Sequence, residues 1–160
     1  MSVISKTPLP AHSHLWAKVR PGDFVDGYAV ESGLSARQAA DLGLAMPGWA
    51  KALLALRNKI VAPLGLKTDV SDQGAEAIFP VHHEDENELI LGTDDRHLNF
   101  RICIMQEAGR IHMATWVHRN NLLGRFYLMA VMPFHVLIVR DSMRRIAKHS
   151  APIASGPRGQ

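Results

Sequence analysis

The segment spanning residues 121–149 constrains the fold of this chain more than any other. Its apolar residues recur at helical spacing and cover more than one stripe; they are Leu123, Phe126, Tyr127, Ala130, Phe134, Leu137 and Ile138. This pattern predicts a helix buried on most sides over its first two thirds, and a sheet that wraps around it. Pro133 lacks an amide donor and clashes one turn back, which predicts a kink or break near Met132.

The far end of this helix is basic. Four cations occupy its last turns, where they complement the negative end of the helix dipole; they are Arg140, Arg144, Arg145 and Lys148. Nucleic-acid binding usually needs a broader basic face, so we expect no nucleic-acid partner. The apolar run 126–139 is shorter than the ~20 residues of a membrane span, so we interpret it as core and expect no membrane span.

Composition indicates an ordinary globular domain. The chain has 160 residues, of which 47% are hydrophobic and 21% charged, and this length suffices for one packed core. The single cysteine, Cys103, excludes an internal disulfide and a thiol-based metal cluster. No basic start followed by an apolar run opens the sequence, so we expect a cytoplasmic protein. Residues 1–12 and 151–160 lack periodicity and are predicted to be flexible tails around a single domain, 13–149.

The first half of the domain is predicted to contain one strand followed by two helices. Residues 23–32 have the alternation of a strand, in which Gly27 predicts a bulge. The capping-box motif at 35–38 predicts a helix over 36–44. A second helix is expected from Pro47 to the residues before Pro63.

The second half has the period of a sheet. Strands are predicted from Ala77 to Val81, over 89–91, over 98–107 and over 110–119. Ala108-Gly109 turns the last two into a hairpin.

A symmetric hairpin turn predicts the register of its strands. Phe100 then faces Val117 on the side toward the last helix, and Arg101 faces Trp116 on the other side. The fold class predicted is α+β, with a curved antiparallel sheet around a long C-terminal helix.

The densest polar cluster lies in a loop between two predicted strands and consists of Asp94, Asp95, Arg96 and His97. Paired carboxylates beside an imidazole could perform acid–base chemistry, although aspartates and a neighbouring arginine also form ordinary turns. The run 82–86 contains zinc-ligand types, but adjacent histidines on a strand point to opposite faces. We therefore predict no metal site and no cofactor.

Two polar residues on the predicted helix, Arg125 and His135, must be satisfied or line a cavity. A satisfied core histidine is the structural alternative for His135. No nucleophile motif, P-loop or dinucleotide fingerprint occurs in the sequence.

The segment 91–101, LGTDDRHLNFR, resembles a bacterial family of uncharacterised proteins, found alone or fused behind NAD(P)-binding epimerase-like domains. The resemblance includes Thr115, Asn121, Gly124-Arg125, Tyr127 and the PFH motif at 133–135. That family is similar to the helix-grip, START-like superfamily, so the resemblance implies a sheet wrapped around a C-terminal helix over a cavity.

Three functions remain open at the sequence level. The first is binding of a small apolar ligand between sheet and helix by a protein that is a monomer or homodimer. The expected ligand-binding residues are Asp94, Asp95, Arg96, His97, Arg101, Arg125, Phe126, Phe134 and His135. The second is a cyclase- or hydrolase-type enzyme that uses the Asp94 to His97 loop. The third is an accessory protein-interaction domain.

Overall fold

The computed structural model describes residues 3–45, 48–64 and 79–149. Its elements in chain order are β1 (Ser5–Lys6), β2 (Phe24–Glu31), α1 (Ala36–Gly43), α2 (Gly48–Val61), β3 (Val81–Glu84), β4 (Glu88–Asp94), β5 (Leu98–Glu107), β6 (Arg110–Arg119) and α3 (Leu122–Lys148), with 3-10 turns at His14–Ala17 and Ala62–Leu64. The strands form one curved antiparallel sheet in the order β1-β2-β6-β5-β4-β3. The predicted α+β class with a long C-terminal helix is therefore confirmed. The predictions for Pro47, Ala77 and residues 151–160 lie outside the described residues.

The hairpin of β5 and β6 has the predicted register. Phe100 pairs with Val117, and Arg101 pairs with Trp116. Its two turn residues, 108 and 109, have φ values of 48° and 74°, as in two-residue turns whose twist matches that of the strands they join. A slip of one residue would turn every side chain to the wrong face, so the alternation along β5, together with the symmetric two-residue turn, specified the pairing.

The predicted capping box opens α1. Ser35 Oγ accepts a hydrogen bond from the Gln38 amide at 3.2 Å, and the Gln38 side chain accepts one from the Ser35 amide at 3.0 Å. At the other end of α1, Arg145 of α3 donates to the carbonyl oxygens of Leu42 and Gly43. These bonds join α1 to the C-terminal part of α3 and satisfy carbonyls that the end of a helix leaves free.

Both faces of the sheet carry buried side chains. The helix face packs against α1 and α3; its core contains Tyr28, Val30, Leu89, Leu91, Ile104, Ile111 and Met113, with Val139, Met143 and Ile146 of α3. The outer face is covered by N-terminal residues within 9–19; its core contains Ile90, Cys103, Met105, Ala114 and Trp116, with Leu9 and Leu15. The sequence predicted the first layer but not the second.

The N-terminal segment departs from the prediction of a tail over residues 1–12. Within it β1 pairs with β2, and Leu9 is buried. The expected bulge at Gly27 is absent, since β2 pairs with β6 without interruption there. A Cβ on Gly27 would lie 2.4 Å from the carbonyl oxygen of Thr7. The glycine thus allows the N-terminal backbone to approach β2 closely.

The prediction that the first two thirds of α3 are buried on most sides is wrong. The outward side of α3 carries large apolar side chains that are 46–70% exposed; they are Leu122, Phe126, Met129, Phe134 and Leu137. The sheet covers one side of the helix, so a helix that is apolar on more than one side keeps apolar surface in solvent.

The helix also continues through Pro133, where the sequence predicts a kink or break. Pro133 is exposed, so water can reach the carbonyl that its missing amide leaves unpaired one turn earlier. By length and composition, α3 is long and apolar enough to cross a membrane. Core helices of soluble proteins meet the same two criteria, so this is weak evidence for a membrane span.

Candidate functional site

A cavity of about 190 Å³ lies between the helix face of the sheet and α3. Most of its wall is apolar and comes from β2, β5, β6 and α3; it includes Phe24, Phe100, Ile102, Met113, Val117, Leu128, Val131 and Ile138. A buried cluster of Leu98, Val117 and Leu128 forms one side. The cavity lies between sheet and helix, which is the position that the resemblance implies for one.

Two polar side chains meet beside this cavity. His135 lines it from α3, and Asp26 comes from β2. His135 Nε2 lies 3.7 Å from Asp26 Oδ2, and the two side chains are 20% and 4% exposed. Neither atom has a hydrogen-bond partner within the described residues. The other Asp26 oxygen, Oδ1, pairs with Lys6 Nζ at 3.2 Å.

The environment of this pair favours the neutral form of the imidazole. Burial lowers the pKa of His135, and the nearby Asp26 carboxylate opposes that shift without cancelling it. Burial also raises the pKa of the Tyr28 phenol, and Asp26 adds to the effect. A separation of 3.7 Å is too long for a direct hydrogen bond, but a single hydroxyl or amine to one side of the pair, about 2.8–3.0 Å from each atom, could bond to both.

Among the ligand-binding residues predicted on α3, His135 alone lines the cavity. The side chains of Phe126 and Phe134 are 65% and 46% exposed, and Arg125 is exposed as well. These three residues lie on the outward side of the helix, which corrects their assignment to the cavity. His135 follows Leu128 by seven residues and Val131 by four, the spacing that places all three on the inner side.

The predicted acid–base loop does not contribute to the cavity wall. Its side chains form the contacts of a turn: Asp95 Oδ1 accepts a hydrogen bond from the Arg96 amide at 2.6 Å, and His97 Nδ1 lies 2.9 Å from Asn121 Nδ2. Asn121 caps α3, and a Cβ on Gly124 would lie 2.1 Å from the His97 carbonyl oxygen. The loop therefore positions the start of α3.

Arg101 lies on the outer face and is 2% exposed, so the sheet separates it from the cavity. Its Nη1 donates to Asp94 Oδ1 at 2.8 Å and to the carbonyls of Thr93 and Phe100. The hydrogen bond from Arg101 lowers the pKa of Asp94. Its guanidinium carbon lies 5.9 Å from the centre of the Trp116 ring. Arg101 and Asp94 therefore form an ion pair apart from the cavity, and their assignment to a ligand site stays a prediction.

Sequence reasoning did not select Asp26. The signal was present, because Phe24, Asp26 and Tyr28 alternate along one strand and must share a face. A carboxylate between two aromatic residues on a face predicted to be buried needs a partner or a ligand.

Residues 19–142 match the model of a family described as "Protein of unknown function (DUF2867)". The chain belongs to this family. The match includes β2 to β6 and most of α3, and therefore both Asp26 and His135. Comparisons with curated proteins and with solved structures find no significant match. Membership of a family of unknown function, predicted from the sequence, is confirmed; the START-like relationship and the epimerase fusions stay predictions.

Proposed function

We propose that this protein binds a small, mostly apolar molecule with one hydroxyl or amino group in the cavity between the sheet and α3. The observation that carries the proposal is the pair of unpartnered atoms, Asp26 Oδ2 and His135 Nε2, beside an apolar cavity. A buried polar group without a partner costs about 1–3 kcal/mol. A ligand that bonds to both atoms would recover that cost.

The size of the cavity limits the ligand. A volume of about 190 Å³ is smaller than the ~300–1,000 Å³ of most ligand pockets, so the ligand is no larger than a substituted single ring or a short chain. The position of the cavity under a curved sheet supports a START-like, helix-grip relationship, in which ligands occupy this place. The Asp94 to His97 loop is engaged in turn contacts, so the geometry favours a binding protein over an enzyme that uses that loop.

Phenol is a suitable probe because it combines one ring with one hydroxyl. In methyl-detected NMR, phenol should shift the Val117, Ile138 and Val139 methyl signals of the wild-type protein in a saturable way. Val131→Phe fills the cavity from α3 and should abolish the shifts. Leu137→Phe places the same ring on the outward side, where Leu137 is 58% exposed, and should bind as the wild type does.

The polar pair has its own test. The wild-type protein should bind phenol more tightly than toluene, because only phenol offers a hydroxyl to Asp26 and His135. His135→Phe should remove that preference while retaining a cooperative thermal transition. The proposal fails if phenol and toluene leave the methyl signals unchanged, or if Val131→Phe and Leu137→Phe bind phenol equally well.

A second candidate is an accessory interaction domain, favoured by the exposed apolar residues on the outward side of α3. The cavity and the outward side lie on opposite sides of one helix, so substitutions on α3 can test them separately.

A further inference from the structure

Four side chains with metal-ligating atoms converge beside the β3–β4 hairpin, far from the cavity. His14 comes from the N-terminal 3-10 turn, His83 from β3, Asp85 from the hairpin turn and Glu88 from β4. Each offers one ligand atom, and these atoms lie within 4.8 Å of one another. We call this set the two-histidine cluster. It borders an open depression of about 490 Å³, through which ions can reach it.

Glu88 is the buried centre of the cluster, with a side chain 2% exposed. Its Oε1 accepts hydrogen bonds from Ser13 Oγ and, at 3.2 Å, from Cys103 Sγ. Its Oε2 accepts a hydrogen bond from the His14 backbone amide at 3.1 Å and lies 2.6 Å from His14 Nδ1 and 3.8 Å from His83 Nε2. One oxygen is therefore held by side chains of the protein interior, while the other is oriented by the His14 amide and faces the two imidazoles.

Asp85 repeats this division of its oxygens. Oδ1 accepts hydrogen bonds from the amides of Asn87 and Glu88, both at 2.9 Å. Oδ2 lies 2.9 Å from His83 Nε2 and faces the cluster. Carboxylates that bind metals are usually oriented in this way by other hydrogen bonds, so both have the support that a metal site requires.

The charges and ring positions in the cluster favour a cation. The ring centres of His14 and His83 lie 4.0 Å apart, and one nitrogen of each ring lies within 4.8 Å of the other ligand atoms. In the described part of the chain no lysine or arginine pairs with Asp85 or Glu88, so two carboxylates face one another without a fixed positive charge. The alternative is a set of histidine–carboxylate hydrogen bonds that bind nothing.

We propose that His14, His83, Asp85 and Glu88 bind one divalent transition metal, and that Zn²⁺ fits this ligand set best. Two imidazole nitrogens and two carboxylate oxygens are zinc ligands at roughly 2.0–2.2 Å, which places neighbouring ligand atoms about 3.3–3.6 Å apart. To reach that geometry the two closest pairs of ligand atoms, now 2.6 Å and 2.9 Å apart, must separate by about 0.4–1 Å, and the longest separations, up to 4.8 Å, must shorten by about 1.2–1.5 Å. The His14 side chain is 60% exposed and can move, whereas the carboxylates are already held.

This site could not be predicted from the sequence alone. The adjacent histidines point apart as predicted, because His82 Nε2 lies 3.1 Å from the Gly92 carbonyl oxygen, away from the cluster. The second imidazole comes instead from His14, in a segment with no periodicity. A bound metal would join the N-terminal segment to the hairpin and so stabilise the cover of the outer face.

Calorimetric titration of chelator-treated protein with ZnCl₂ tests the proposal. The wild-type protein should bind one equivalent, and His14→Ala and His83→Ala should each weaken binding at least ~10-fold. His82→Ala, one residue away and facing elsewhere, is the matched control and should bind as the wild type does. Co²⁺ should give the strong visible absorption of a tetrahedral site in the wild type and in His82→Ala only.

Thermal unfolding provides a second readout. A metal that binds only the folded protein raises Tm by mass action, so excess Zn²⁺ should raise the Tm of the wild type and of His82→Ala but not of His14→Ala. Circular dichroism of each variant checks that it folds. The proposal is overturned if the wild type does not bind Zn²⁺ stoichiometrically, or if His82→Ala weakens binding as much as His83→Ala does.

Discussion

The two faces of the sheet are buried in different ways. The helix face has a continuous, mostly apolar core under two regular helices, and its cavity also contacts the polar side chains of Thr115, His135 and Ser142. The outer face lies under an irregular segment and buries polar groups, among them Glu88 and Arg101. Trp116 Nε1 on this face donates to Asp23 Oδ2 at 2.8 Å. Packing dominates the first face, whereas the second depends on satisfying each buried polar group.

The largest effect expected tests whether the outer face is a true structural layer. Leu15 covers the outer face and Leu89 belongs to the helix face, and each is 1% exposed. Leu15→Ala and Leu89→Ala should each lower the free energy of unfolding by about 2–5 kcal/mol, since both remove a fully buried side chain. Urea denaturation measures both.

Leu122→Ala is the control for these two substitutions. Leu122 is 68% exposed, so its replacement should lower the free energy of unfolding by less than about 0.5 kcal/mol. A loss for Leu15→Ala as small as that of the control would show that residues 9–19 do not form a stable cover. The comparison between the faces would then fail.

The same contrast explains how much of the fold the sequence predicts. Alternation along β5 and the symmetric Ala108-Gly109 turn specified the register of the hairpin, and the Ser35 capping box specified the start of α1, because these are local patterns. The cover of the outer face comes from a segment without periodicity, so neither Leu9 nor Leu15 could be assigned to a core. The outward side of α3 was misjudged because periodicity reports apolar residues, not what covers them.

The candidate sites show the same difference between local patterns, which the sequence predicts, and contacts between distant segments, which it does not. His135 was selected because a polar residue interrupts an apolar helix, and the structure places it at the cavity wall. Its partner Asp26 is distant in sequence, and only the pairing of β2 with the rest of the sheet brings it near α3. Phe126 was assigned to the cavity by hydrophobicity alone, which cannot distinguish the two sides of a helix.

A smaller effect concerns one histidine on each face. Burial lowers the pKa of His135, against the opposing charge of Asp26, and burial followed by the charge of Arg110 lowers the pKa of His112, against Glu107. Below the ordinary pKa of about 6.5 the unfolded chain binds protons that the folded chain does not, so stability falls as pH decreases. As the pH falls from 7.5 to 5.5, each histidine should lower the free energy of unfolding by at most about 1.4 kcal/mol.

Urea denaturation at both pH values measures this loss. His135→Phe and His112→Phe should each reduce it, and the double variant should reduce it most. Carboxylates with lowered pKa values, such as Glu88, lose their contribution only at more acidic pH, so they do not obscure this range. A pH dependence unchanged in both variants would show that neither histidine remains neutral in the folded protein.

The smallest effect expected concerns the outward side of α3, beyond the helix face. Met129 is 70% exposed, so Met129→Ser should change the free energy of unfolding by less than about 0.5 kcal/mol in a monomer. Exposed apolar side chains on several successive turns are, however, what an interaction surface presents.

Sedimentation of the wild type and of Met129→Ser across a range of concentrations separates the two cases. A wild-type dimer that Met129→Ser dissociates would mean that a second copy covers this side, and the substitution would then cost stability in proportion to protein concentration. Equal sedimentation of both proteins as monomers would leave the cavity on the inner side of α3 as the better supported site.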